Sequence, residues 1–533
     1  MVVDAASPLG MVVGGSLSRG LDVRLGSAEA VEQAKVGTFV TIQGVTGQGT
    51  GSRYFGIITD LRLDSADQHL ASAMADADAA LASVLSGTSA YSLATVSLNL
   101  TTGVGGEAPQ PAKSLPGHFS AVHRASNEDV QAIFGSEDAW HIYIGSPLDM
   151  EDTRVCLDLK KFVERSNGVF GKSGTGKSFL TRILLAGILQ RGVATNLVFD
   201  MHSEYGWQTK TESGYAAKGL KQLFPSRVAV FTMDPASARR RGVQTDFDVQ
   251  IGYDEIEPED IAILAQTLKI TELGVQACYT LRSRFGASWI LDFLKQPSDE
   301  LAENIGGSNS TLDALRQRLG QLQRLDFMRP QGQGAVKRVL DHLADGRHVV
   351  LEFGRYGDDL TAYLLVANLI TRRIHEEYRR RTEQALAADG KAPEPLVITI
   401  EEAHRFLGPG VAGQTIFGTI AREMRKYHVT LLVVDQRPSG IDDEVLSQVG
   451  TRITCQLDND RDVDAVLGGA SGARELKSVL SRLEPRQQAL MFGHALPMPV
   501  VIRTRDYDEA LYAEMSVPGA GAASGRDKRD LFG

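Results

Sequence analysis

The sequence predicts an α/β domain on a mostly parallel, doubly wound sheet, preceded by a small N-terminal β-barrel and interrupted by a block of helices. Three observations carry that expectation. From about residue 155, short apolar runs alternate with amphipathic stretches, as in a parallel sheet with helices on both faces. Before that point, β-branched runs are broken by Gly-rich turns, as in a barrel or sandwich. Between residues 258 and 344 the pattern is mostly helical.

Composition narrows the function classes. The chain has 533 residues, 43% hydrophobic and 23% charged, with a net charge of −10. These are globular values, and the acidic balance excludes a uniformly basic nucleic-acid-coating protein while leaving room for a basic pore or stripe. Cys156, Cys278 and Cys455 are far apart and form no CxxC pair, which argues against a disulfide scaffold or zinc ribbon and for a reducing compartment. No apolar run approaches the roughly 20 residues of a membrane helix, and the N-terminus lacks a secretory pattern. A cytoplasmic protein with no membrane partner is expected.

In chain order, residues 1–146 form the expected barrel, with strands near 37–43 and 54–60, an inserted helix over 65–85 and a loop over 101–116. Residues 147–515 form the α/β domain, with core strands near 168–170, 196–199, 228–231, 348–353, 396–400, 429–434 and 452–455. The helical insertion spans about 258–344, with a polar break at 306–310, and 516–533 read as a flexible tail.

The strongest motif is Gly171-Lys-Ser-Gly-Thr-Gly-Lys177-Ser178, a full GxxxxGK[ST] match between a short apolar strand and a helix beginning at Phe179. In such a P-loop, Gly171, Ser173, Gly174, Thr175 and Gly176 bring backbone N–H groups around a β-phosphate, and the helix N-terminus adds partial positive charge. Lys177 bridges the β- and γ-phosphates of ATP, and the Ser178 hydroxyl ligates Mg²⁺. A second motif, Glu401-Glu402-Ala-His404, ends an apolar strand. One carboxylate, Glu401, is expected on the metal side, and Glu402 is expected to act as base or to position water. Asp200 and Glu204 follow another strand, where doubly wound sheets bind ligands. Gln436 follows a further strand, with its amide placed to sense a γ-phosphate or hold water.

Together these residues resemble the HerA/FtsK superfamily of hexameric ring ATPases, and within it the HerA branch. The motifs that carry the resemblance are 165–178, Phe199-Asp-Met-His-Ser-Glu-Tyr205, the acidic pair, Ala421-Arg-Glu-Met-Arg-Lys-Tyr427 and Asp435-Gln-Arg-Pro438. The sequence departs from relatives at Ser166, often His there, and at Met201, where Pro is usual. The resemblance implies a RecA-like P-loop NTPase behind a barrel. It also implies that Phe179, Arg165 and Asp200 belong to the nucleotide site, that Glu402 activates water and that Gln436 senses the γ-phosphate. Arg425, with Arg422 on the same helix face, is implied as the arginine finger reaching a neighbouring subunit.

For action, the resemblance implies a homohexamer that translocates double-stranded DNA. A NurA-like nuclease or another effector, in DNA end processing or antiphage defence, is the implied partner on the barrel. The alternative is an ATP-gated ring scaffold that activates an effector without processive movement. Basic clusters at 239–241, at Arg316, Arg318, Arg324, Arg329, Lys337 and Arg338, and at 372–373 and 379–381 are the DNA-contact candidates.

Overall fold

The computed structural model describes residues 8–46, 49–65, 90–103, 108–210, 214, 216–305, 308–387, 392–413, 415–470 and 472–516. The expected helix over 65–85 and the tail lie almost wholly outside these residues.

Six N-terminal strands close into a barrel. Gly10–Ser16, Gly20–Leu25, Phe39–Thr46, Gly49–Ser65, Ala90–Thr102 and Ala121–Arg124 are joined as a ring by the pairing of Gly20–Leu25 with Ala90–Thr102. Alternation sends Val23, Val40, Ile42, Ile58, Ala94, Val96 and Val122 inward, all fully buried. The other face of the same strands, with Phe39, Phe55, Ile57 and Leu100, joins the apolar core of the second domain. Among the described residues of 101–116, residues 103, 108–109 and 112–116 lie outside strands, whereas 101–102 end the strand Ala90–Thr102 and Gln110–Pro111 adds a short edge strand beside it.

The second sheet has twelve strands among the described residues. Eight are parallel, in the spatial order Phe247–Asp248, Val228–Thr232, His348–Glu352, Thr195–Asp200, Leu396–Glu401, Val429–Asp435, Asn167–Phe170 and Thr451–Thr454. All seven expected core strands are among these, with nearly continuous burial, because helices cover both faces. Four antiparallel strands extend the sheet beyond Thr451–Thr454: Gln488–Gly493, Val500–Thr504, His141–Pro147 and Val155–Asp158. His141–Pro147 therefore pairs with the second sheet, although sequence reading places it at the barrel's end; its partner Val500–Thr504 is more than 350 residues away and gives no local signal.

The insertion is helical as expected, from Pro258–Leu268 through Glu272–Phe285, Trp289–Lys295, Ser298–Ile305 and Asn309–Gly320 to Ala335–Ala344. It packs around Leu264, Leu281, Trp289 and Phe293 and is tied to the long helix Leu360–Ala387 by Asp260, which accepts from Arg372 and Asn368. Among the described residues no helix is long and apolar enough to cross a membrane.

Candidate active site

Parallel pairing aligns the carboxyl ends of the central strands. Phe170 lies opposite both Asp435 and Thr454, Glu401 opposite Val434, and Asp200 opposite Glu352. The loop 171–176 leaves from the middle of this edge. Gly174 and Gly176 have φ of 78° and 96°, left-handed values that a side chain resists, so glycine sets the loop's path. A Cβ on Gly171 would come within 2.8 Å of the Cys455 Cβ.

The helix Lys177–Arg191 starts from Gly176 with no side-chain cap, leaving its first N–H groups free to meet an anion. Thr175 Oγ1 and Lys177 Nζ both donate to the Lys172 carbonyl, at 2.8 Å each, which closes the loop on itself. Lys172 is itself held by Asp458 at 2.8 Å. Burial lowers the Lys177 pKa, opposed by the charges of Cys455, Glu402, Asp435 and Glu401, so the ammonium stands among the acids of the neighbouring strand ends.

The two adjacent glutamates have different surroundings. Glu401 is 7% exposed and accepts from the Tyr205 hydroxyl through Oε1 at 3.0 Å, while its buried Oε2 has no hydrogen-bond partner. Burial, and then Asp200 and Glu204, push its carboxyl well above the ordinary range. Glu402 sits at φ 47°, a left-handed conformation that non-glycine residues adopt at strained, often functional, positions. Its Oε1 accepts from Gln436 Nε2 at 2.7 Å, so the amide expected near a γ-phosphate holds the second glutamate.

His404 lies two residues beyond Glu402. Its backbone N–H donates to Asp435 Oδ2 at 2.7 Å, and its Nδ1 lies 3.0 Å from the same oxygen and 3.6 Å from Glu402 Oε2. The hydrogen bond to Asp435 raises the imidazole pKa. Asp435 is thus the buried strut between the Glu402 turn and the Gln436 turn. Contiguous motif reading could flag His404 and Asp435 but could not pair them.

Two expectations, for Asp200 and Arg165, meet a different arrangement. Asp200 is fully buried, and its two oxygens accept N–H groups of Glu204, Tyr205 and Gly206 at 2.8, 2.8 and 3.3 Å, so it orders the turn that presents Tyr205 to Glu401. Arg165 precedes the strand Asn167–Phe170, whose opposite end carries the loop, a separation of roughly 13 Å along the strand alone. Arg165 therefore does not reach its own phosphate loop. It lines, with Arg422, a cavity of about 860 Å³ at the amino ends of these strands. Arg422 lies 3.8 Å from Glu444. The backbone of Arg425 falls in the 3₁₀ turn Met424–Tyr427, and its side chain lies outside what is described.

Most of the basic clusters are neutralised. Arg241 pairs with buried Glu352, Arg372 with Asp260, Arg373 with Glu257 and Glu376, and Arg380 and Arg381 with Glu377. Arg316 bonds the backbone of Gln296 and Phe293, turning one end of the helical block inward. Arg239 and Arg240 are exposed, with no ion pair among the described residues, at the carboxyl end of Val228–Thr232. Among those residues no group of three acidic, His or Cys side chains forms a metal cage.

A family model described as "Helicase HerA, central domain" matches residues 142–374. The DNA double-strand break repair helicase HerA of Pyrococcus furiosus is 24% identical over 414 residues, 73% of each chain. A probable DNA double-strand break repair helicase HerA of Methanocaldococcus jannaschii is 28% identical over 424 residues, 73% of this chain and 80% of that one. Among solved structures, VirB4 of Thermoanaerobacter pseudethanolicus aligns over 71% of this chain and 100% of its own, with 12% identity and a TM-score of 0.47. With its glycine loop opening an uncapped helix and its acidic strand ends beside Lys177, the chain is similar to the HerA helicases, whose central-domain model it matches over residues 142–374.

Proposed function

We propose that the protein is a homohexameric ATPase that translocates double-stranded DNA, with each nucleotide site completed by a neighbouring subunit. The observation that carries this reading is the pairing of an uncapped phosphate loop with Glu402, held 2.7 Å from Gln436 beside it. The loop N–H groups and Lys177 bind the β- and γ-phosphates. Glu402 takes the proton of the attacking water, and Gln436 keeps that carboxylate aimed.

The donor set fits Mg²⁺, which binds through one or two protein oxygens plus phosphate and water rather than in a cage. Ser178 and Glu401 would hold it, and the unpartnered Glu401 Oε2 is an available ligand. When bound, the ion supplies charge neutralisation to the phosphates. A cation there would also reverse the upward shift of the Glu401 carboxyl.

Arg165 and Arg422 share the far edge of the sheet and so are suited to serve the site of an adjacent copy, with Arg425 as a third candidate. The relatives are named as DNA repair helicases, and exposed Arg239 and Arg240 are the residues best disposed to meet DNA phosphates. The barrel exposes Met11, Val13, Leu17 and Phe119 on and beside its first strand, and Phe119 N donates to the Val12 carbonyl. This apolar patch supports a nuclease or other effector docking on the barrel, the feature shared with the scaffold reading.

The test uses Glu402→Gln and Arg422→Ala. Glu402→Gln should bind ATP yet lose hydrolysis by roughly 10²- to 10⁴-fold, and mixing it with Arg422→Ala subunits should restore part of the rate. ATP-driven displacement of a third strand from duplex DNA separates motor from scaffold. Vigorous hydrolysis by Glu402→Gln would reject the assignment of the base.

A further inference from the structure

The helix Pro235–Arg241 begins inside the fold and ends in solvent. Asp234, 3% exposed, caps its start by accepting from Ser237 N at 3.0 Å, and a Cβ on Gly354 would come within 2.6 Å of the Asp234 Cβ, so this end is fixed. The last turn carries Arg239, Arg240 and Arg241 and is closed by Gly242 at φ 69°. Arg239 and Arg240 are exposed, whereas the Arg241 guanidinium turns inward to Glu352 Oε2. The Arg241 side chain keeps 31% of its surface in solvent; that of Glu352 keeps none.

Glu352 ends the strand His348–Glu352 in register with Asp200, so two buried carboxylates are neighbours. Asp200 is satisfied by the N–H groups of its own turn. Glu352 pairs with one cation among the described residues, Arg241, and its Oε1 has no hydrogen-bond partner. Burial, and then the Asp200 charge, push the Glu352 carboxyl up to about 7, against the pull of Arg241. An anion outside competes directly for that partly exposed guanidinium.

The unpartnered oxygen rests against the turn that serves the ATP site. A Cβ on Gly206 would come within 2.7 Å of Glu352 Oε1, so glycine lets the carboxylate approach the backbone there. The same turn has two outlets. Tyr205 donates to Glu401 Oε1 at 3.0 Å, and the Glu204 carbonyl accepts from Arg182, which is 1% exposed on the helix Lys177–Arg191 that follows the phosphate loop. Residues 204–206 thus join Glu352 to the metal-side acid and to the helix of the loop.

We propose that Arg241 and Glu352 are positioning residues that couple duplex DNA on the exposed helix end to the ATP site through the turn 204–206. The inference rests on the reading of Arg239 and Arg240 as DNA contacts and of 171–178 as a triphosphate site. A phosphate held by Arg239 and Arg240 attracts the third guanidinium outward. Glu352 then loses its counter-ion in a buried place and its contact with Gly206 changes. Tyr205 and Arg182 carry that change to Glu401 and to the loop helix. Linkage makes the effect reciprocal: the factor that DNA applies to nucleotide affinity, nucleotide applies to DNA affinity.

The test is calorimetric binding of ATPγS with Mg²⁺ to the full chain, with and without saturating blunt duplex DNA, and of the duplex with and without ATPγS. In the unmodified protein each affinity should change about fivefold or more when the other ligand is present, by the same factor in both titrations. Glu352→Gln, which keeps the shape and removes the buried charge, should bring that factor within about twofold of one, and so should Arg241→Met. Each should keep duplex affinity within about threefold, since Arg239 and Arg240 remain. Arg241→Lys, which returns a cation to Glu352, should recover the coupling. A pair with a purely structural role would lower stability in the variants and leave the factor intact. That result, an unmodified protein that binds both ligands independently, or an Arg241→Lys protein no better coupled than Arg241→Met would overturn the proposal. Failure of the underlying reading is distinguishable, and the relay falls with it: the duplex would not bind, Arg239→Ala with Arg240→Ala would leave its affinity unchanged, or Lys177→Ala would leave ATPγS affinity unchanged.

Discussion

Removing the Arg372 guanidinium tests how the helical insertion is joined to the ATPase core. Asp260, on the insertion's first helix, is completely buried, and its carboxylate is met by Arg372 Nη2 at 2.7 Å, Arg372 Nε at 3.1 Å and Asn368 Nδ2 at 3.2 Å. Arg372→Met keeps most of the apolar stem and deletes the charge, leaving a buried carboxylate without its counter-ion. Such a loss costs about 3–5 kcal/mol.

Burial already pushes the Asp260 carboxyl above its ordinary value, and the Arg372 hydrogen bonds and charge pull it back. Deleting Arg372 therefore raises the native-state value further while the unfolded value stays put. The native state then binds the proton more tightly, so the stability loss is largest near and above neutral pH. It shrinks as the pH falls toward the unfolded carboxyl's range near 4. The assay is denaturant unfolding at pH 7.5 and 5.5, followed by fluorescence of Trp289, which is fully buried in the insertion with its indole N–H on the Ile256 carbonyl. Asp260→Asn combined with Arg372→Met should recover most of the loss, since the amide still accepts from Asn368. A single variant that loses less than about 1 kcal/mol at pH 7.5, or a loss that grows on acidification, would refute the reasoning.

Two further outcomes follow from the site. Tyr205→Phe deletes the hydroxyl that donates to Glu401 Oε1 and should raise the Mg²⁺ concentration for half-maximal hydrolysis by about 10- to 100-fold; an unchanged Mg²⁺ titration would remove Glu401 from the metal site. Gln436→Leu frees Glu402 and should slow hydrolysis by roughly 10- to 100-fold at unchanged ATPγS affinity, the scale of one hydrogen bond to a charged group; a matching loss of affinity would instead place Gln436 in ground-state binding.

The expectation that basic runs mark DNA contacts illustrates where sequence reading stops. Arg380 and Arg381 look like a cationic patch, yet in the helix Leu360–Ala387 they fall three and four residues from Glu377 and pair with it. Arg372 sits in the same helix but faces the insertion, over a hundred residues away in sequence, and its charge is used there. The exposed pair Arg239 and Arg240 belongs to an equally plain run, and nothing local distinguishes it.

Contiguous chemistry was legible without coordinates: the glycine loop and its helix, the apolar strands of the parallel sheet, and the acidic pair at a strand end all depend on neighbours within a few residues. What tertiary structure decided was pairing. Glu402 meets Gln436 and His404 meets Asp435 across adjacent strands, Tyr205 crosses to Glu401, and Tyr507 faces Phe179 from the far end of the chain. It also turned Asp200 inward onto its own backbone and placed Arg165 at the edge of the sheet away from the loop. The reason is physical: backbone propensity and side-chain period act locally, whereas strand order and register, which decide which strand ends converge, are set by burial of the whole core.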